Sequence, residues 1–226
     1  SKTYPENHAG PRNLLRTSQT RRDFETTKRI VDELSETYGE RTVEFFVIDL
    51  LAYHYERGEF LEGIDLLKRR FPDFLDEPGK EITNDDHRTA AIFHLTLADK
   101  AGKTEEVEMI ADRICEYKDK RLAEMEESGH TEIYNELDVK LWCQIATEQY
   151  DEAVAAMEKF YFELNSKANY PLIITSEIPF FRIKESQNFE EFEKKIYADL
   201  GMMRKNVVQF LKEKDEWEEE WEEEGN

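Results

Sequence analysis

Five histidines, His8, His54, His87, His94 and His130, are the side chains here best suited to proton transfer or metal binding, and their spacing serves neither. No two stand in the His-Glu-x-x-His pattern that sets paired imidazoles on one helical face for zinc. Glu127 and His130 form a Glu-x-x-His pair, half of a di-iron bundle site, but Ser128 and Gly129 break the helix between them and no second pair exists. Phosphate loops, dinucleotide turns and nucleophile elbows are missing. With 52 acidic side chains, carboxylate pairs fall at every spacing and single out no acid–base couple. No catalytic residue, metal site or cofactor is expected in this segment. His54 and His94 read as hydrogen-bonded packing histidines, with a pH-sensitive contact facing a groove as the alternative.

What the chain can do must then come from its surface. Its 226 residues suffice to bury a sizeable core, and a net charge of −21 opposes binding to phosphate backbones or anionic lipid. Partners are expected to be protein or peptide, apolar or basic, with no nucleic acid and no membrane contact. A homodimer is a further possibility. Cys115 and Cys143 both fall in apolar helical patterns, so two buried thiols or a bond between them remain open, and with them the redox compartment. The opening Ser1-Lys2-Thr3-Tyr4-Pro5 lacks an initiator Met, which fits a segment of a longer protein.

The elements that must position any contact surface are helices. Residues 1–20 hold Pro5, Gly10 and Pro11 and read as an extended arm. Phe24, Thr27, Val31, Leu34 and Tyr38 predict a helix over about 22–38, closed by Gly39. Residues 41–57 are apolar on two sides, the mark of a helix wedged between neighbours. Gly58 ends it, and Phe60, Ile64, Leu67 and Phe71 start a return helix, broken by Pro72 and Pro78-Gly79. Thr83-Asn84-Asp85-Asp86 caps a helix to about Lys100, and its partner runs from Thr104 to about Glu126. Leu137, Leu141 and Ile145 mark the next helix, and Ala153, Met157, Phe160 and Leu164 its return. Residues 166–188 form an irregular crossing segment that packs Ile173, Ile174, Phe180 and Phe181 on the helices. The strict stripe Phe189, Phe192, Ile196, Leu200, Met203, Val207, Phe210 predicts a long capping helix over 189–214. An acidic tail follows at 215–226, with Trp217 and Trp221 four apart as a possible docking pair.

A short phrase recurs between these helices: Gly58-Glu59-Phe60-Leu61-Glu62-Gly63-Ile64, Gly102-Lys103-Thr104-Glu105-Glu106-Val107, and Gln149-Tyr150-Asp151-Glu152-Ala153-Val154. These corners and their flanks, over residues 40–165, resemble tetratricopeptide repeats. That motif places Gly at the corner, an aromatic two residues on, a small residue three beyond and large apolar residues after. Gly58, Phe60, Gly63, Ile64 and Leu67 match, as do Tyr150, Ala153, Val154 and Met157, with Glu148 standing where Gly belongs. Gly102 and Val107 match less well, with Thr104 in place of the aromatic. The corners lie 44 and 46 residues apart, longer than the family's unit of about 34. Ile178-Pro179-Phe180-Phe181-Arg182-Ile183 with Asn188, Phe189 and Phe192 is similar to the end of helical-repeat regions in bacterial multidomain proteins.

The resemblance implies an all-α, right-handed superhelical array of antiparallel helix hairpins over 21–165, closed by the C-terminal helix. It also implies a concave groove lined by the first helix of each hairpin. Counted back from the corners, that face presents Ile48, Ala52 and Tyr55, then Thr96 and Asp99, then Asp138 and Trp142, with Trp142 the leading contact. Ile48, Ala52, Ile92, Phe93 and Thr96 stand where chaperone-tail binders of the family carry a carboxylate clamp, so an acidic terminus is disfavoured. The expected function is non-catalytic protein interaction or assembly. The alternative is a regulatory or ligand-sensing segment of a larger bacterial enzyme or winged-helix regulator. On either reading the compartment is open: a soluble chain is expected, cytoplasmic or the periplasmic part of a membrane-anchored bacterial protein.

Overall fold

Three times the chain turns through the same corner. The computed structural model describes Ser18 and residues 23–39, 46–75, 80–129, 133–164, 182–184 and 186–213. Within it Gly58 and Gly102 both stand at φ 72°, and Glu148 at φ 61°. Each corner residue donates its N–H three residues back, to Tyr55 (3.1 Å), Asp99 (3.0 Å) and Ile145 (3.4 Å). Each following residue donates five back: Glu59 to His54 (2.9 Å), Lys103 to Ala98 (2.9 Å) and Gln149 to Gln144 (2.8 Å). This is the Schellman pattern, which satisfies the carbonyls a helix end leaves open. The carbonyls of Glu59, Lys103 and Gln149 then accept from Gly63, Val107 and Ala153, opening the return helix at once. The corner phrase of the sequence is therefore a repeated hydrogen-bond motif.

Around these corners the described residues form helices and no strand. α1 spans Phe24–Tyr38, α2 Val47–Glu56, α3 Phe60–Arg70 and α4 the single turn Pro72–Leu75. α5 spans Asp85–Lys100, α6 Thr104–Ser128, α7 Ile133–Ala146, α8 Tyr150–Glu158 and α9 Gln187–Glu213. Asp23 caps α1 by accepting from Thr26 N, and Asn84 caps α5 by accepting from His87 N. Each helix packs chiefly on its chain neighbours, α3 crosses to α5, and α7 also touches α5. Outside the described residues lie the N-terminal arm apart from Ser18, the predicted start of α2 before Phe46, Ile173, Ile174, Phe180 and Phe181, and the tail with Trp217 and Trp221.

Two apolar cores result. The larger draws on α1 to α6 and on Val139, Cys143 and Ala146 of α7. The smaller joins Leu141 and Ile145 of α7 to α8, Ile183, Phe189, Phe192 and Ile196. α7 is thus apolar on two sides, where the stripe Leu137–Leu141–Ile145 accounts for one alone. α5 is buried all round from Ala90 to Ala98, and Leu97 of α5 meets α3 where Gly63 leaves room. A Cβ on Gly63 would come within 3.1 Å of Leu97 Cδ1, so the small residue sets this helix–helix distance.

Two features depart from expectation. The return helix after Gln149 widens into a π turn over Lys159–Glu163, where Leu164 N reaches back to Lys159 O at 3.1 Å. The wider turn buries Phe160 and Tyr161 side by side, and Tyr161 donates to Asp199 of α9 at 3.2 Å. α9 packs on the preceding helices only in part: Phe189, Phe192 and Ile196 are buried, whereas Met203, Val207 and Phe210 are exposed. Cys115 and Cys143, for their part, are joined as a disulfide that ties α6 to α7.

Candidate functional site

The α5–α7 contact gathers an ordered polar cluster. Asp138 and Trp142 are four apart on α7 and share a face, so Trp142 Nε1 donates to Asp138 Oδ1 at 3.1 Å. Arg88, one turn into α5, pairs with Asp138 Oδ2 through Nη1 and lies 3.5 Å from Asp85 Oδ1 through Nη2. Tyr117 of α6 donates its hydroxyl to the same Asp85 oxygen at 2.9 Å. Burial, and next the Asp85 bond, raise the Tyr117 phenol above its ordinary range, so it stays a donor. Three helices are thereby tied at one point. The half-buried Trp142 ring, packed against both cores, is held by its edge. Such an arrangement positions an aromatic surface and offers no activated nucleophile.

The other residues of the expected groove behave differently. Ala52 is 3% exposed and Thr96 0%, so both belong to the core and cannot line an open face. Thr96 donates to Ile92 O at 3.0 Å, and Ile92 and Ile145 are buried as well. For Thr96 the reason is tertiary, since α5 has neighbours on every side, a condition its own periodicity does not disclose; Ala52 lies on α2, which packs between α1 and α3. Ile48 and Tyr55 are half-buried against the larger core, Tyr55 meeting Phe60 edge-on at 5.6 Å.

Asp99 faces an internal partner. Arg182, from the crossing segment, is buried to 1% side-chain exposure with its Nε 3.4 Å from Asp99 Oδ2. Its Nη1 donates to the carbonyls of Ile145 (3.3 Å) and Ala146 (3.5 Å), closing the C-terminus of α7, and its Nη2 to Glu148 (3.2 Å). This accounts for the third corner. Glu148 accepts a left-handed backbone that Gly would adopt without strain, and its carboxylate is what Arg182 requires. Nothing local to residues 178–183 signals the pairing, although the missing corner Gly is a signal that the side chain at 148 has a task.

The histidines are packing residues among the described elements. His54 Nδ1 lies 3.0 Å from Glu59 Oε2, and His87 stacks on Phe74 at 4.4 Å. His94 is buried with Nε2 2.9 Å from Glu106 Oε1, off hydrogen-bonding alignment. Burial lowers its pKa and Glu106 opposes the shift, while Lys68 and Lys103 reinforce it. His8 and His130 lie outside the described residues. Among the described residues no group of three His, Cys, Asp or Glu side chains is arranged to hold a metal ion, and no helix is long and apolar enough to cross a membrane. No protein-family model, curated protein or solved structure matches the chain.

Proposed function

We propose that this chain is a non-catalytic protein-interaction module, a right-handed superhelical array of tetratricopeptide-like hairpins that takes an apolar or basic protein segment. The observation that carries the reading is the Arg88–Asp138–Trp142 unit, a half-buried indole fixed at the seam of two first helices. A preordered aromatic loses little entropy on contact and suits a central anchor. Ala52 and Thr96 drop out of the contact set, and Asp99 serves Arg182 as Asp138 serves Arg88 and Trp142, which leaves Ile48, Tyr55 and Trp142 as contacts and Asp138 as the residue that positions Trp142. The net charge of −21 favours basic over acidic segments. The repeated corners support the array, since one corner geometry applied three times stacks its hairpins in one sense.

The test is anisotropy of labelled basic, apolar and acidic peptide libraries titrated with the chain. Basic or apolar peptides are expected to bind, and Trp142→Ala and Asp138→Asn to weaken them about tenfold or more. Binding unmoved by both substitutions, or confined to acidic peptides, would overturn the assignment.

A further inference from the structure

Both cysteines of the chain are used in one bond. Its 226 residues contain only Cys115 and Cys143, and these are joined, which leaves no free thiol. Their Cα atoms stand 4.9 Å apart, inside the range of about 4.4–6.8 Å that a bridge spans. The position of the bond says what kind it is. Redox-active thiols stand at helix N-termini, beside free cations or in Cys-x-x-Cys pairs, where a thiolate is stabilised and open to attack. Cys115 lies at the middle of α6, and Cys143 in the last turn of α7, the negative end of the helix dipole. The separation of 28 residues excludes the Cys-x-x-Cys arrangement. Lys118 and Lys140, one turn from each cysteine along its helix, are held by Asp119 and Glu136. Cys143 is buried in the larger core and Cys115 is half-buried against it, which restricts access to the sulfurs.

We infer that this chain works in an oxidising compartment outside the cytosol, with Cys115–Cys143 as a permanent structural cross-link between α6 and α7. The sequence leaves the compartment open, and the pairing decides it. Glutathione and thioredoxin keep cytosolic thiols reduced, so a bond without redox-active features persists where that pool is absent. Forming the bond takes two electrons and two protons from the paired thiols, and a disulfide oxidant of the compartment accepts them and becomes a dithiol. The placement also suits a cross-link, since α7 is the helix shared by both cores and a bond at Cys143 fixes its rotation. None of this depends on Trp142 being a contact.

The test uses cells that make the full chain, quenched in acid and treated with a maleimide-polyethylene glycol before and after reduction. An immunoblot should show no added mass before reduction and two labels after it. In parallel, cells opened to protease with the cytosolic membrane intact should lose the chain, or release it to the medium, while a cytosolic marker survives. Free thiols before reduction overturn the inference. A closed bond in a chain protected along with the cytosolic marker overturns it equally. The purified chain supplies a third reading: opening of the bond by glutathione should be at least about tenfold slower in the native state than in urea, where the sulfurs are uncovered. Equal rates would mark an accessible bond that follows the redox pool, and would overturn the permanent cross-link.

Discussion

Removing the Cys115–Cys143 bond should weaken the helical packing between α6 and α7. The disulfide links α6 to α7 across 28 residues, so it closes a loop of that length in the unfolded chain. The loop-closure relation −2.1 − 1.5R ln n gives about 12 cal/mol/K, or about 3.6 kcal/mol at 25 °C. Both sulfurs sit in the packed region, Cys143 buried in the larger core and Cys115 partly buried against it. Reduction therefore removes the cross-link while retaining the side-chain volume, and truncation to Ala adds a small cavity cost. For a chain this size, about 3.6 kcal/mol corresponds to a fall in melting temperature of roughly 7–14 °C. The assay is urea unfolding followed by helical circular dichroism, with and without reductant, for the parent and for Cys115→Ala with Cys143→Ala. The parent should lose stability on reduction, and the double variant should match or fall slightly below the reduced parent without responding to reductant. A parent midpoint unmoved by reductant would refute the reasoning.

Glu148→Gly relieves a left-handed backbone worth about 1 kcal/mol but strips a buried arginine of a carboxylate worth about 1.5–3 kcal/mol, discounted because Glu148 is largely exposed. Net destabilisation is expected in urea titrations, and the sign should reverse in an Arg182→Met background, where only strain relief remains; equal effects in both backgrounds would disprove the coupling. His94, buried and held below its ordinary pKa of 6.5, binds fewer protons folded than unfolded. Its contribution is complete above 6.5 and is lost as pH falls through that value towards the lower folded pKa. Unfolding midpoints between about pH 7.5 and 5 should therefore drop more steeply for the parent than for His94→Gln, and parallel profiles would count against this.

Comparison of α5, α7 and α9 separates local from global information. The corners at Gly58, Gly102 and Glu148 were legible because a Schellman corner is made within six consecutive residues. Helix existence was legible for the same reason, as period and caps such as Asn84 act over one or two turns. The pairing of Asp138 with Trp142 follows from their four-residue spacing, but the Arg88 that holds them comes from 50 residues away. Ala52 and Thr96 fall in the groove when counted back from the corners on the tetratricopeptide resemblance, which names a face without saying how many neighbours cover it. The burial of α5 on every side is a fact of packing.

The amino-acid order by itself determined the all-α class, the three corners, the absence of a recognisable catalytic motif and the stripe of α9. Tertiary structure decided that Cys115 meets Cys143, that Arg182 closes α7 against Asp99 and Glu148, and that α9 is covered over only its first half. The reason is range. Backbone hydrogen bonds and helical period are written within a few residues, whereas burial and charge pairing depend on side chains brought together from distant turns of the chain.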